Sequence, residues 1–249
     1  FDSLQETSNL RDVEYVFHEA AQAGVRSSWE QFQAYIDNNI LATQRLLEIV
    51  KCLRIEKFVY ASSSSIYGDS DSLPIREDSL ARPSSPYGVS KLAAENLCRL
   101  YWQNFGVPVV SLRYFTVYGP RQRPDMAFHR FAKAMLSGKE IEVFGNGRQT
   151  RDFTFVSDIV EANLLALNAP PGAVFNIAGG AKIALVDALV LIERLTGKRA
   201  HLRWTDAQKG DVRDTWADIE EARRVLGYEP KVSLEEGLRE EISWIEKVY

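Results

Sequence analysis

The sequence predicts an α/β fold built on a doubly wound parallel sheet, and three observations carry that prediction. Short β-branched and aromatic runs recur in the first half of the chain, stretches of helical periodicity separate them, and polar residues gather where the runs end. The first run, "VEYVFHEAA" (13–21), predicts a strand buried on both faces. "WEQFQAYIDNNILATQRLLEIVKCL" (29–53) follows with apolar residues at helical spacing, and "EKFVYASS" (56–63) is the second strand. The next helix, "YGVSKLAAENLCRLYWQNF" (87–105), places Val89, Leu92, Ala93, Leu97, Leu100 and Tyr101 on one stripe facing a core and stops before Gly106 and Pro108. "VPVVSLRY" (107–114) supplies the third strand, and the alternation of strands with helices implies parallel pairing. Ligands of such sheets bind beyond the carboxyl ends of the strands, which puts Ser62, Ser63, Ser64 and Ser65, and then Thr116, at the candidate site.

Beyond residue 117 helices alternate with loops rich in Gly and Pro, among them "GPRQRPDM", "FGNGRQTRDF" and "NAPPGAV". This texture predicts a smaller α/β lobe, with "AVFNIAG" returning a strand to the main sheet. The expected division is a main domain of residues 1–117 with a returning segment near 153–178, and a lobe of residues 118–152 and 179–249.

Composition narrows the function. The chain has 249 residues, 45% of them hydrophobic, enough to bury a sizeable core. Its formal net charge is −4 with basic residues scattered, which removes the electrostatic footprint of a nucleic-acid or anionic-membrane binder and leaves a small molecule as the expected partner. Cys52 and Cys98 stand in no metal-ligand spacing and suit a reducing, cytoplasmic compartment. The apolar runs, such as "VPVV" and "ALVLI", are far short of a membrane span.

Tyr87 and Lys91 are the first pair with chemistry in it. Four apart on a helix, they share a face, so an ammonium beside the phenol would draw its pKa down from about 10 and make Tyr87 a candidate general base. The serine cluster at the preceding strand end adds a hydroxyl that can bond a sugar oxygen and share its proton. A dinucleotide fold, however, opens on a strand and a Gly-rich turn at a helix N-terminus. "FDSLQ" reads instead as the N-cap and first turn of a helix within a domain. The expectation is that roughly 50 to 60 residues belong upstream, the span of two strands and their helices, or that the chain is a variant without the cofactor cradle.

Taken together, "YASSSSIYG", "SPYGVSK", "LRYFTVYGPRQRPDMAFHRF", "RDFTFVSDIVEANLLAL" and "TWADIEEARRVLGYEP" resemble the extended short-chain dehydrogenase/reductase family, specifically its NAD-dependent nucleotide-sugar epimerases. The resemblance runs from about Val13 to the C-terminus and implies a Rossmann-like domain, here lacking the glycine-loop segment with which that family opens. It implies that Tyr87 is the base, that Lys91 binds the nicotinamide ribose and lowers the Tyr87 pKa, and that Ser63 is the third catalytic group. Ala20, Ala21, Asn39, Ser62 and Tyr114 match positions lining the NAD site, and Arg151, Asp152 and Asp211 match positions that hold the nucleotide or shape its pocket. A guanidinium against pyrophosphate is physically sound, because its fork pairs with two oxygens at once.

The same comparison bears on the reaction. Related sugar dehydratases and decarboxylases carry acids where this chain has Ser64 and Ser65, so the motif implies simple 4-epimerisation: oxidation to a 4-keto sugar, rotation, and reduction on the opposite face. For the sugar, "GPRQRPDMAFHRF" brings Arg121, Arg123, Arg130 and His129 behind the strand end that should face the hexose, more positive charge than a neutral sugar needs. With "GVRSSW" this segment resembles the UDP-glucuronate 4-epimerases, in which the position of Arg123 meets the uronate carboxylate and Thr116 stands where many glucose epimerases have Asn. UDP-glucose or a UDP-N-acetylhexosamine is the alternative substrate, and a non-catalytic Rossmann-like binding protein the alternative of another class. The resemblance also implies a homodimer through the helices around 32–53 and 87–104.

Overall fold

The computed structural model describes residues 10, 12–70, 72–206 and 210–249. The helix start expected at Phe1–Gln5 lies outside the described residues. In chain order the elements are β1 (Tyr15–His18), α1 (Phe32–Tyr35), α2 (Ala42–Val50), β2 (Lys57–Ser63), α3 (Pro86–Phe105), β3 (Val109–Tyr114), β4 (Thr116–Tyr118), α4 (Ala127–Leu136), β5 (Glu140–Phe144), β6 (Thr150–Phe155), α5 (Val156–Ala166), β7 (Val174–Ile177), β8 (Lys182–Ala184), α6 (Leu185–Thr196), β9 (His201–Thr205), α7 (Glu220–Leu226) and α8 (Leu234–Val248). A π-helical segment, Ile36–Leu41, joins α1 to α2 without a break.

The main sheet has the order β1-β2-β3-β7, all parallel, so the returning strand expected at "AVFNIAG" is β7, paired from Ser111↔Val174 to Tyr114↔Ile177. Every residue of β2 is buried. β1 departs from expectation: Val16 and His18 turn toward the core under α2 and α3, while Tyr15 and Phe17, on the opposite face, are each 41% exposed.

α3 begins where local chemistry dictates. Ser85 caps it by accepting the Gly88 N–H at 3.1 Å, Pro86 occupies the first turn, and Gly106 ends it at φ 71°. Its buried face coincides only in part with the predicted apolar stripe: Tyr101 is buried and Leu92 and Leu97 pack against the cores, but the face is wider and more polar than expected. Ser90, Lys91, Ala94, Glu95, Cys98 and Tyr101 face inward, leaving Val89 45% and Leu100 44% exposed. Lys91 and Glu95 bond to β2 and β3 and Ser90 accepts from Asn39, so hydrophobicity alone does not mark that face.

The smaller lobe carries the β4-β6-β8 sheet and the parallel pair β5-β9, with α4, α6 and α8 packed around a second core that includes Tyr118, Phe128, Phe155, Ile192 and Ile242. Residues 217–228, assigned by sequence to this lobe, pack instead into the main core, where Ala217, Ile219, Ala222, Leu226 and Tyr228 meet Val110, Leu112 and Phe175. The register behind this is a bridge from Ile75 to Ala217, a contact too distant in sequence for local pattern to reveal. No described helix is long and apolar enough to cross a membrane. Cys98 is buried, Cys52 is exposed, and the described residues form no metal-ligating cluster.

Candidate active site

β2 ends in the serine cluster, and Ser63 turns the chain by accepting the Ser65 N–H on its Oγ at 3.1 Å, which opens a 3₁₀ turn over Ser64–Ile66. The N-terminus of α3 then lies directly against this turn. Glycine at position 88 permits that approach, because a Cβ there would stand 2.4 Å from the Ser65 carbonyl oxygen. Tyr87, the residue before it, is thereby brought to Ser63. Together they line a cleft of about 380 Å³, to which Ser62, Ser64, Ser65, Tyr114, Thr116, Arg123, Arg151 and Asp211 also contribute. A larger cleft of about 880 Å³ adjoins it in the smaller lobe and shares Thr116, Arg123, Arg151 and Asp211.

Burial raises the Tyr87 pKa, while a hydrogen bond from Ser63 and the charge of Arg123 pull it back. Arg123 is thus a cation that favours the phenolate, a role the sequence expectation gives to Lys91 alone. The Lys91 ammonium, 4% exposed, turns away to the Ala61 carbonyl oxygen and stands 4.6 Å over the Tyr60 ring. Burial lowers its pKa to about 8, against the opposing charge of Glu19. Burial, with Lys91 beside it, also holds His18 down to about 4, so His18 is neutral and bonds Thr43 Oγ1 at 2.8 Å. Since the Thr43 hydroxyl already donates to the Asn39 carbonyl at 2.6 Å, the His18 Nε2–H is the donor. Two of the three Lys91 donors have no partner among the described residues, which suits the adjacent hydroxyls of a ribose.

The remaining expected residues divide. Tyr114 lines the cleft and donates to Glu19 Oε1 at 2.8 Å. Ser62 lines it too, but its hydroxyl donates to Glu95 Oε2 at 2.5 Å, away from a ligand. Asn39 is buried and acts on the loop after β1: its Oδ1 accepts the Gln22 N–H at 2.7 Å and its Nδ2 donates to Ser90 Oγ at 2.8 Å. Ala20 and Ala21 lie exposed in that loop, outside the cleft. Arg151 lines both clefts, steadied by bonds to the Thr150 carbonyl at 2.8 Å and the Arg213 carbonyl at 3.3 Å. Asp211 pairs with Arg26 at 3.3 Å on the rim. Asp152 is fully buried and grips backbone instead, accepting from Gly180 at 3.1 Å and Ala217 at 3.2 Å.

The cationic segment thins out in three dimensions. Arg123 reaches the cleft, where Asp125 holds its fork at 3.0 and 2.9 Å. Arg121 lies outside both clefts, exposed, in a turn that forces it to φ 69°. Arg130 lines the larger cleft and faces Glu142 at 3.9 Å. His129 is 1% exposed inside the lobe, its ring against Trp244 and Tyr249, and burial lowers its pKa, so it adds no charge to the site.

Sequence reading missed Tyr35, whose hydroxyl donates to the Gly24 carbonyl at 2.7 Å and whose ring meets Tyr87 edge-on at 6.1 Å. Nothing local singles it out. It also missed Glu95 and Arg113, although both left a trace: an acid one turn beyond Lys91, and a cation inside a buried strand, where a lone charge must find a partner.

A sequence profile of the family described as NAD dependent epimerase/dehydratase matches residues 1–178. The chain is 46% identical over 245 residues to a protein of Bacillus subtilis named as an uncharacterized UDP-glucose epimerase, YtcB, covering 97% of this chain and 77% of that one. It is 40% identical over 246 residues to a UDP-glucuronate 4-epimerase of Thermodesulfobacterium geofontis, covering 98% and 76%. Among solved structures it superposes on the UDP-glucuronic acid 4-epimerase of Bacillus cereus in complex with UDP-glucuronic acid and NAD. That match has a TM-score of 0.95 and 46% identity, over 98% of this chain and 78% of that one.

Proposed function

The chain belongs to the NAD dependent epimerase/dehydratase family, and from that membership we propose that it is an NAD-dependent 4-epimerase of a UDP-hexose, converting UDP-glucuronate to UDP-galacturonate. The observation that carries this reading is the convergence of Ser63, Tyr87, Thr116 and Arg123 on one cleft between the lobes. The dinucleotide falls to the main domain, beyond the carboxyl ends of β1, β2 and β3 beside Lys91 and Tyr114. The nucleotide of the substrate falls to the larger cleft, where Arg151 meets its pyrophosphate.

NAD, when bound, supplies reversible acceptance of the hydride from the 4-position of the sugar. The protein does the rest. Tyr87, with Ser63 bonded to it and Arg123 favouring the phenolate, takes the proton of the 4-hydroxyl and later returns it. Lys91 offers its two remaining donors to the ribose. A 4-keto uronate is a β-keto acid and loses carbon dioxide unless its carboxylate is held out of alignment with the carbonyl. The Arg123 fork, already closed on the Asp125 carboxylate, has the geometry for that hold. Ser64 and Ser65 offer no acid to assist elimination, which keeps the outcome an epimer.

UDP-glucose is the second reading, favoured by the Bacillus subtilis relative; for a uronate, Arg123 must exchange the Asp125 carboxylate for that of the substrate. We further propose a homodimer through the helical stretch from α1 to α2 and through α3, supported by the exposed Phe32, Leu41, Val89, Leu100 and Phe105, and placement in a reducing, cytoplasmic compartment, supported by the two unpaired cysteines. The deciding experiment incubates the full-length protein and NAD with each sugar nucleotide and follows the anomeric protons by NMR. Conversion of UDP-glucuronate to its galacto epimer without a pentose product is expected. Conversion of UDP-glucose alone would move the substrate to the second reading, and conversion of neither would leave a non-catalytic binding protein.

A further inference from the structure

Tyr87, Lys91 and Glu95 succeed one another at single-turn spacing along one face of α3. The second and third grip successive residues of β2: Lys91 donates to the Ala61 carbonyl, and Glu95 accepts the Ser62 hydroxyl at 2.5 Å. Glu95 is itself clamped from the neighbouring strand. Arg113, which stands in register opposite Ser62, donates to Glu95 Oε1 at 2.6 Å and to Oε2 at 3.1 Å. Its other arm donates to the Tyr67 hydroxyl at 2.6 Å and the Glu77 carbonyl at 2.8 Å, and Tyr67 passes the chain of bonds to Asn176 Oδ1 at 2.7 Å on β7. Ser62, Glu95 and Arg113 are 3%, 7% and 8% exposed, so none of this is a solvent-screened surface pair.

We propose that Glu95 is a positioning residue for the base. By locking Ser62 and Arg113 to α3, it fixes how far the helix sits along β2 and therefore how close Tyr87 stands to Ser63, the last residue of the same strand. A slide of one helical residue is about 1.5 Å, and a misplacement of about 1 Å at reacting groups can cost a factor of about a hundred in rate. The inference rests on the reading of Tyr87 as base and is independent of which UDP-sugar is the substrate.

The test avoids deleting Glu95, which would leave Arg113 unpaired in the core. In the full-length protein loaded with NAD, Ser62→Ala removes the helix-to-strand bond while leaving Glu95 paired with Arg113, Ser62→Thr keeps a hydroxyl, and bound NAD is measured in both because Ser62 also lines the cleft. Ser62→Ala is expected to lose about tenfold or more in kcat, with KM for the UDP-sugar within about twofold, bound NAD unchanged, and most of kcat recovered in Ser62→Thr. Unaltered kcat with a lowered Tm makes the contact purely structural and overturns the proposal, as does a loss confined to KM. Tyr87→Phe separates the two ideas. An active Tyr87→Phe enzyme removes the base and with it what Glu95 positions. An inactive one beside an unimpaired Ser62→Ala enzyme keeps the base and sinks the positioning role alone.

Discussion

Tyr87 is the site of a contest: burial raises its phenol, and Ser63 and Arg123 lower it. Two predictions follow from who the contestants are. Tyr87→Phe keeps the ring and loses the proton acceptor, so it should retain bound NAD while epimerisation falls by about a hundredfold or more; a phenylalanine enzyme with near-normal turnover would contradict the assignment. Arg123→Ala removes both a carboxylate clamp and a cation that favours the phenolate. Turnover of UDP-glucuronate should therefore drop much further than that of UDP-glucose, and the acid limb of the UDP-glucose pH–rate profile should move to higher pH because the base now has a higher pKa. Equal losses on both sugars would cancel the carboxylate role. At this scale sequence spacing was informative about faces and silent about rotamers. It brought Tyr87 and Lys91 to one side of a helix, but that the Lys91 ammonium reaches back to the Ala61 carbonyl is a matter of rotamer.

Among elements, the contact of α8 with β4 concentrates the most unusual charge. Glu241 is fully buried, one carboxylate oxygen accepting the Gly119 N–H at 3.0 Å and the other without a partner among the described residues. Burial raises its pKa from 4.5 to about 8, only partly offset by Gly119. The folded protein thus holds a proton that the unfolded chain releases between those values. Native protons exceed unfolded ones there, so stability is full at low pH and falls as pH rises toward 8, by on the order of a few kcal/mol. Glu241→Gln leaves an oxygen for Gly119 and nothing to titrate. The Tm of the wild type should decline more steeply than that of the variant between about pH 5 and about pH 8, and parallel curves would mean that Glu241 is not protonated in the fold. Glu241 was illegible in "EEISWIEK", where it looks like one more acid on a solvated helix. The β2 and β3 strands were legible because both faces are buried, whereas the inner face of α3 was legible only in part, because it includes Lys91, Glu95 and Ser90.

For the whole molecule, that polar inner face of α3 has a consequence. Since much of the inner face is committed to the polar groups that serve Tyr87 and Ser63, part of the helix's apolar surface is left outward, with Val89, Leu100 and Phe105 at 45%, 44% and 59% exposure. Alongside it, Phe32 and Leu41 of the first helical stretch stand 43% and 42% exposed. A helical face of this kind is a ready isologous surface, on which a second copy of the chain would bury the residues the sheet has no room for. The proposed association would then use the side of α3 opposite its chemistry; of the stripe read from the sequence, Leu92, Leu97 and Tyr101 do pack inward, and only Val89 and Leu100 point out. Leu100→Glu, far from the cleft, places a charge in that face twice per dimer. If the proposed dimer forms through this face, sedimentation should register half the mass of the unaltered protein at the same concentration, with Tyr87 chemistry still measurable in the monomer, because the contacts that set its position all lie within one chain. A Leu100→Glu protein that stays dimeric would move the interface elsewhere and leave the outward stripe without a partner.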